Sequence, residues 1–360
     1  MKFGLFYLFS DFGNVSQQQL FDEVLVEIER GEELGFDSVW LPEHHFSIHG
    51  MLGNPLLLAA AVAQRTQKMM IGTGVVIMPF QHPLRVAEDA AMVDALSDGR
   101  LLLGVGRGYQ PPEFHGFGVN QNDSSGMYEE GIEILKRALS GEKFAYDGEF
   151  YTIDDPVQIF PKPLQTPHPP LYSASVSGHS LEVAARFNMS LLRGPQFSNL
   201  DTVAATFSEY TGLLNKYGHD PAALDQPVLM RVYVAPTDEE AKPETEHALW
   251  FYRLLATLVP GAPGREEVPK GYEAYPIDPK AFSKLTLEDV WERGTAFGSP
   301  ERVTEILKTY MRKLGVNNII VQMRIGGLEH DKVLRSMELY ANEVMPALRE
   351  EAASLSAAAE

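Results

Sequence analysis

Short apolar runs alternate with amphipathic stretches of helical length along most of the chain. Residues 2–8 (KFGLFYL) predict a first strand, and 16–34 a helix opened by Ser16 and closed before Gly35. A strand at 37–41 (DSVWL) precedes a helix at 54–66 with Pro55 in its first turn. The run 70–78 (MIGTGVVIM) is a third strand, followed by a helix at 83–97 that again begins at a proline. Residues 100–105 (RLLLGV) give a fourth strand and 124–140 a helix. The pattern pauses at 145–165, which reads as a hairpin insertion. Strands at 170–174, 189–193 and 227–235 then lead into helices at 179–187, 200–216 and 238–257, and a last strand at 316–323 into a helix at 329–346.

Eight strands, each coupled to a helix, favour a closed (β/α)8 TIM barrel over a doubly wound sheet. No GxGxxG or GxxxxGK[ST] stands at a strand-to-helix junction, which weighs against a dinucleotide or P-loop fold. We expect one domain over residues 1–350 and a frayed tail at 351–360. Residues 259–282, with five prolines, three glycines and no apolar period, predict a long mobile loop before the last strand. On the face where a barrel keeps its active site, such a loop reads as a lid; the alternative is a variable surface insertion.

Composition narrows the class. With 44% hydrophobic residues, a large core is easily built. Thirty Lys and Arg against 49 Asp and Glu give a net charge of −19, which sets nucleic acid and anionic membranes aside as partners. There is no cysteine, so disulfides, thiolate catalysis and zinc–cysteine sites are excluded, and no metal site is indicated. The N-terminal MKFGLFYLFSDFG reads as a strand rather than a signal peptide. No apolar run approaches the roughly 20 residues of a membrane span, so we expect a soluble, cytoplasmic protein.

In a parallel barrel the chemistry gathers at strand C-termini. The second strand ends in Pro42-Glu43-His44-His45, and alternation sends one imidazole toward the barrel mouth and the other away. Such a pair is either a general base with its neighbour or a structural cap. Glycines 72 and 74 in the third strand mark either close approach of a ligand or ordinary crowding. At the end of the fourth strand Arg107, flanked by Gly106 and Gly108, is suited to hold a phosphate, although a surface ion pair is the default for a lone arginine. The fifth strand delivers Ser173, Ser175, Ser177, Gly178, His179 and Ser180 into a helix start, either an anion cradle or an N-cap by Ser177.

The segments GFDSVWLPEHHF, HPLRVAEDAAMVDALSDGRLLLGVGRG and EVMPALRE resemble the bacterial luciferase-like flavin-dependent monooxygenases, the luciferase alpha subunit in particular. The likeness extends over essentially the whole chain. It implies that His44 is the active-site histidine and that Gly74-Val75 is a non-prolyl cis peptide under the flavin ring. It implies further that Arg107 holds the FMN phosphate with Ser177 and Ser180, in a turn that includes Gly178 and His179. Glu88 falls on the helix that pairs subunits, implying a homodimer, and Trp250 on an aromatic position near the flavin. Gly106 stands where the family has a reactive cysteine, Ser125 where it has a second phosphate-binding arginine, and Gly194 where it has an indole. Arg193 or His179 are candidate replacements for the missing cation.

The leading expectation is therefore an FMN-dependent monooxygenase of a two-component system. Reduced FMN from a separate flavin reductase and O2 would oxidise a small organic substrate, an aldehyde or other carbonyl compound. A pocket lined by Phe6, Phe114 and Trp250 would favour an apolar substrate. A deazaflavin-dependent hydride-transfer enzyme and a non-catalytic flavin-binding partner subunit are the competing readings.

Overall fold

The computed structural model describes residues 1–175, 178–195, 198–273 and 278–359. The strands are β1 (Lys2–Phe6), β2 (Ser38–Leu41), β3 (Met70–Thr73), β4 (Val76–Ile77), β5 (Leu101–Gly106), β6 (Phe144–Asp147), β7 (Thr152–Val157), β8 (Leu171–Ser173), β9 (Ser190–Leu191), β10 (Val228–Val234), β11 (Thr295–Gly298) and β12 (Asn318–Gln322). Ten of them form one sheet in the order β11-β10-β12-β1-β2-β3-β5-β8-β9, with β4 also on β5. Its pairings are parallel throughout, for example Leu5 opposite Val39 and Val321. Past β9, Arg193 lies opposite Val228 in a one-residue parallel bridge, and the Leu229 N–H donates to the Arg193 carbonyl at 2.9 Å. The remaining two strands, β6 and β7, form a separate antiparallel pair.

Alternation along each strand divides the core in two. Val39 and Leu41 of β2 join the large cluster that packs the sheet against its helices. Trp40, between them, points the other way and packs with Leu102, Tyr172 and Ile320. With both faces buried, these strands read as near-continuous apolar runs. The helices begin where the sequence places their caps: Ser16 accepts from the Gln19 N–H, and Asn54 from the Leu57 N–H just before Pro55.

The structure departs from the sequence reading at several places. The expected strand 70–78 is two pieces, β3 and β4, separated at Gly74-Val75. The expected helix 238–257 is two helices, Asp238–Glu244 and His247–Leu255, with Pro243 in the last turn of the first. Between the proline-rich loop and β12 lie the unforeseen β11 and the helix Pro300–Leu314. That helix has strong signals of its own: a Ser299 cap, Pro300 in its first turn and Gly315 at its end. Residues 351–359, expected as a frayed tail, continue the helix Met345–Ala359.

Among the described residues no helix is long and apolar enough to cross a membrane.

Candidate active site

The C-terminal ends of the parallel strands surround a cavity of about 220 Å³. Phe6 closes β1, His44 follows β2, Gly74 and Val75 separate β3 from β4, Gly106 ends β5 and Arg107 follows it. Ser180 comes from the helix Gly178–Arg186, Arg193 from the segment after β9, and Arg231 from β10. The lining is mostly apolar, with Leu8, Ile77, Leu192, Leu229, Phe251 and Ile320. A pocket of this kind, apolar with a few convergent polar groups, suits a small organic ligand.

The glycines shape it. A Cβ on Gly106 would come within 2.6 Å of the Val75 side chain, and one on Gly74 within 3.3 Å of the Phe6 ring. The Gly74-Val75 peptide bond is cis. Gly72 serves a different purpose, since a Cβ there would meet the Trp40 indole at 2.3 Å; crowding by the core explains it.

His44 and His45 separate as strand alternation requires. His45 lies outside the cavity lining, with Nε2 2.9 Å from the buried Glu43, and packs edge-on against Phe117. Glu43 also accepts from the Ile77 N–H at 3.0 Å; burial raises its carboxyl above the usual range, opposed by His45 and that amide. His44 lines the cavity, its Nδ1 3.0 Å from the fully buried Glu113, which also accepts from the His45 N–H at 2.9 Å. A carboxylate can only accept, so Nδ1 carries the proton and Nε2 is the basic nitrogen. The Gln110 side-chain amide also reaches Nδ1 at 3.0 Å; to serve an N–H there it turns its oxygen to the ring. Behind His44 stands the buried His49, ring centroids 5.1 Å apart. Burial, then the charges of His44 and Arg231, hold His49 well below the usual imidazole range.

Three buried arginines line this one cavity in a strongly acidic protein. Arg107 is 8% exposed; its Nη2 donates to the Gly271 carbonyl at 2.8 Å and its guanidinium lies 4.0 Å over the Tyr272 ring. Among the described residues no carboxylate comes within 4.0 Å of it. Tyr272 in turn donates to the Gly108 carbonyl at 2.7 Å, so the proline-rich loop is seated on the end of β5. Arg193 is 6% exposed. A hydroxyl chain links Tyr128 to Ser173 at 2.7 Å and Ser173 to Ser175 at 2.6 Å; Ser175 donates to the Ser180 carbonyl at 3.1 Å.

Of the residues singled out in the sequence, the cavity thus brings together His44, Gly74, Val75, Arg107 and Ser180, with Arg193 and Gly194. Gly178 begins its helix outside the lining. His179 is half-exposed and faces Glu129 at 3.3 Å, so Arg193, not His179, supplies a second cation to the cavity. Ser177 lies outside the described residues. The expected aromatic lining is corrected: Phe6 is there, but Phe114 packs on Phe80 and Trp250 on Phe12, and Phe251 and Tyr272 line the cavity instead. Sequence reasoning missed His49, Glu113 and Arg231. Arg231 had a signal, a charge inside the apolar run VLMRVYV; Glu113 had none, lying on a short helix beyond β5.

Known proteins resemble this chain in sequence and in fold. The chain is 28% identical to the alkanal monooxygenase alpha chain of Photorhabdus laumondii, covering 99% of this chain and all of that one. It is 26% identical to the oxygenase component of the flavin-dependent trigonelline monooxygenase of Acinetobacter baylyi, over 93% and 92% of the two chains. A monooxygenase structure from Streptomyces bottropensis superposes with a TM-score of 0.85 at 29% identity, over 97% of this chain and 100% of that one. Residues 1–318 match the family described as luciferase-like monooxygenase, and the chain belongs to that family.

Proposed function

We propose that this chain is the oxygenase of a two-component flavin system. It takes reduced FMN from a separate reductase and uses O2 to oxidise a small organic substrate, a carbonyl compound such as an aldehyde among the candidates. The observation that carries the reading is Arg107: a buried guanidinium at a strand end, facing the cavity without a carboxylate partner among the described residues. A buried cation is costly unless an anion meets it. The FMN phosphate is that anion, with Arg193 and Ser180 as further donors.

The residues present fit a flavin. Val75, Phe6 and the two glycines leave an apolar slot beside His44, and the cations stand at its edge. We further propose that the bridge at Arg193 closes the sheet as an eight-stranded barrel, with β11 as an added outer strand. Leu57, Met92 and Leu96 are exposed on two adjacent helices, Pro55–Arg65 and Pro83–Leu96, which supports a homodimer through the face that holds Glu88. We place the enzyme in the cytoplasm, beside its reductase.

Reduced FMN, when bound, supplies the electrons that activate O2. Arg107 fixes the phosphate, and the seated proline-rich loop with the apolar lining excludes water. His44, held by Glu113 through Nδ1, uses Nε2 to accept a proton from the substrate side and return it.

The test is a titration of FMN and of riboflavin, followed by flavin fluorescence. A charge-assisted hydrogen bond is worth about 1.5–3 kcal/mol, so Arg107→Met should weaken FMN by about 10- to 100-fold. Riboflavin, lacking the phosphate, should bind both proteins alike. Equal loss for both flavins would refute the phosphate assignment. Retention of a deazaflavin and rejection of FMN would replace the oxygenase with a hydride-transfer enzyme.

A further inference from the structure

The phosphate assignment leaves the third cation unexplained. Arg231, in the middle of β10, is 2% exposed and lines the same cavity. Its Nη1 donates to the Tyr252 hydroxyl at 2.7 Å, and its guanidinium lies 4.0 Å over the Phe251 ring. Its Nε is buried without a partner, and among the described residues no carboxylate lies within 4.0 Å. Aromatic faces offset only part of the cost of burying a guanidinium.

Arg231 also has different neighbours from Arg107. Arg107 is bound to Gly271 and Tyr272. Arg231 connects to the imidazoles: Phe251 packs against His49 at 4.9 Å, and His49 against His44 at 5.1 Å. Burial keeps His49 neutral near pH 7, so on this side Arg231 is the charge available to meet an anion. Leu8, Leu229 and Phe251 leave room there for an apolar body.

We propose that Arg231 anchors a carboxylate carried by the organic substrate, so that the enzyme acts on a small apolar acid whose reacting carbon is presented to His44. The planar guanidinium fork pairs a carboxylate through two parallel hydrogen bonds, which an amide cannot reproduce. This deepens the oxygenase reading and rests on it for the reaction, but the anion subsite can be tested without the flavin.

The experiment is calorimetric titration of the purified chain with benzoate, hexanoate and their amides, without and then with FMN. The wild type should bind each acid at least about 10-fold tighter than its amide. Arg231→Met should bring the two to parity while FMN affinity stays within about twofold. Should that variant fail to fold, Arg231→Lys keeps the charge but loses the fork, and its preference should fall several-fold. Acid and amide binding alike in the wild type, or an acid preference untouched by either variant, would overturn the proposal. So would Arg231→Met losing FMN while keeping the preference, since the arginine would then serve the flavin. A chain that prefers acids but never retains FMN would sink the cofactor reading and leave this subsite standing, so the two failures are distinct.

Discussion

At the scale of single residues, the site depends on how a carboxylate holds an imidazole. Glu113 is fully buried, and its one oxygen serves both the His44 ring and the His45 backbone. In the mechanism proposed above His44 is the proton-transfer group, and such groups contribute about 10²- to 10⁴-fold to rate. His44→Ala should therefore lower kcat by that order and leave FMN affinity unchanged. Glu113→Gln keeps the shape but offers an amide that can donate as well as accept, so the ring proton is no longer confined to Nδ1. We expect a loss in kcat in the same direction but smaller, with KM nearly unmoved. Stopped-flow single turnovers on both variants check this; a Glu113→Gln enzyme with wild-type kcat would show that the pair is structural.

At the scale of elements, the tightest constraint is the contact of β5 with the end of β3. The Thr73 hydroxyl donates to the Gly104 carbonyl at 2.7 Å and accepts from the Gly104 N–H at 2.9 Å. A Cβ on Gly104 would sit 2.0 Å from the Thr73 carbonyl oxygen, which is backbone and cannot swing aside. Overpacking of this kind costs about 1–3 kcal/mol, so Gly104→Ala should lower the unfolding free energy by that amount in a urea titration. An unchanged midpoint would mean the two strands can part freely. Elements also show what a sequence can and cannot reveal. Period-two apolar runs and capped helices are local signals, so most strands and helices through β10 were legible, as were the strand ends bearing His44 and Arg107. The split of β3 from β4 shows only as two glycines in an apolar run. Strand β11 is four residues long, TAFG, and follows a long proline-rich stretch, too short to show a period of its own. Glu113 and His49 are legible only once the loops after β2 and β5 are folded over one another.

At the scale of the whole molecule, the first and last helical units are tied by a buried charge cluster remote in sequence. Arg324, after β12, meets Glu23 and Glu27 of the helix Gln17–Glu33, and Glu27 also faces the Nδ1 of His330, 2.8 Å away at the start of the last helical layer. The Glu27 hydrogen bond, reinforced by the charges of Glu27 and Glu23, raises His330 above its usual value of 6.5, against the opposing effects of burial and Arg324. A histidine whose folded value lies above its unfolded one binds the proton more tightly when folded. Its contribution is complete below 6.5 and is lost as pH rises from there through the folded value. His49 works with the opposite sign: its folded value lies below 6.5, so its contribution is intact above 6.5 and is lost as pH falls. Comparing Tm for the wild type and His330→Gln from about pH 5.5 to 8.5 isolates the first effect, because the His49 contribution is common to both proteins and cancels. The wild type should exceed the variant most at the acid end, with the difference shrinking above 6.5. A difference that stays constant across the range would mean that His330 does not gain a proton on folding and that the cluster is held by Arg324 alone.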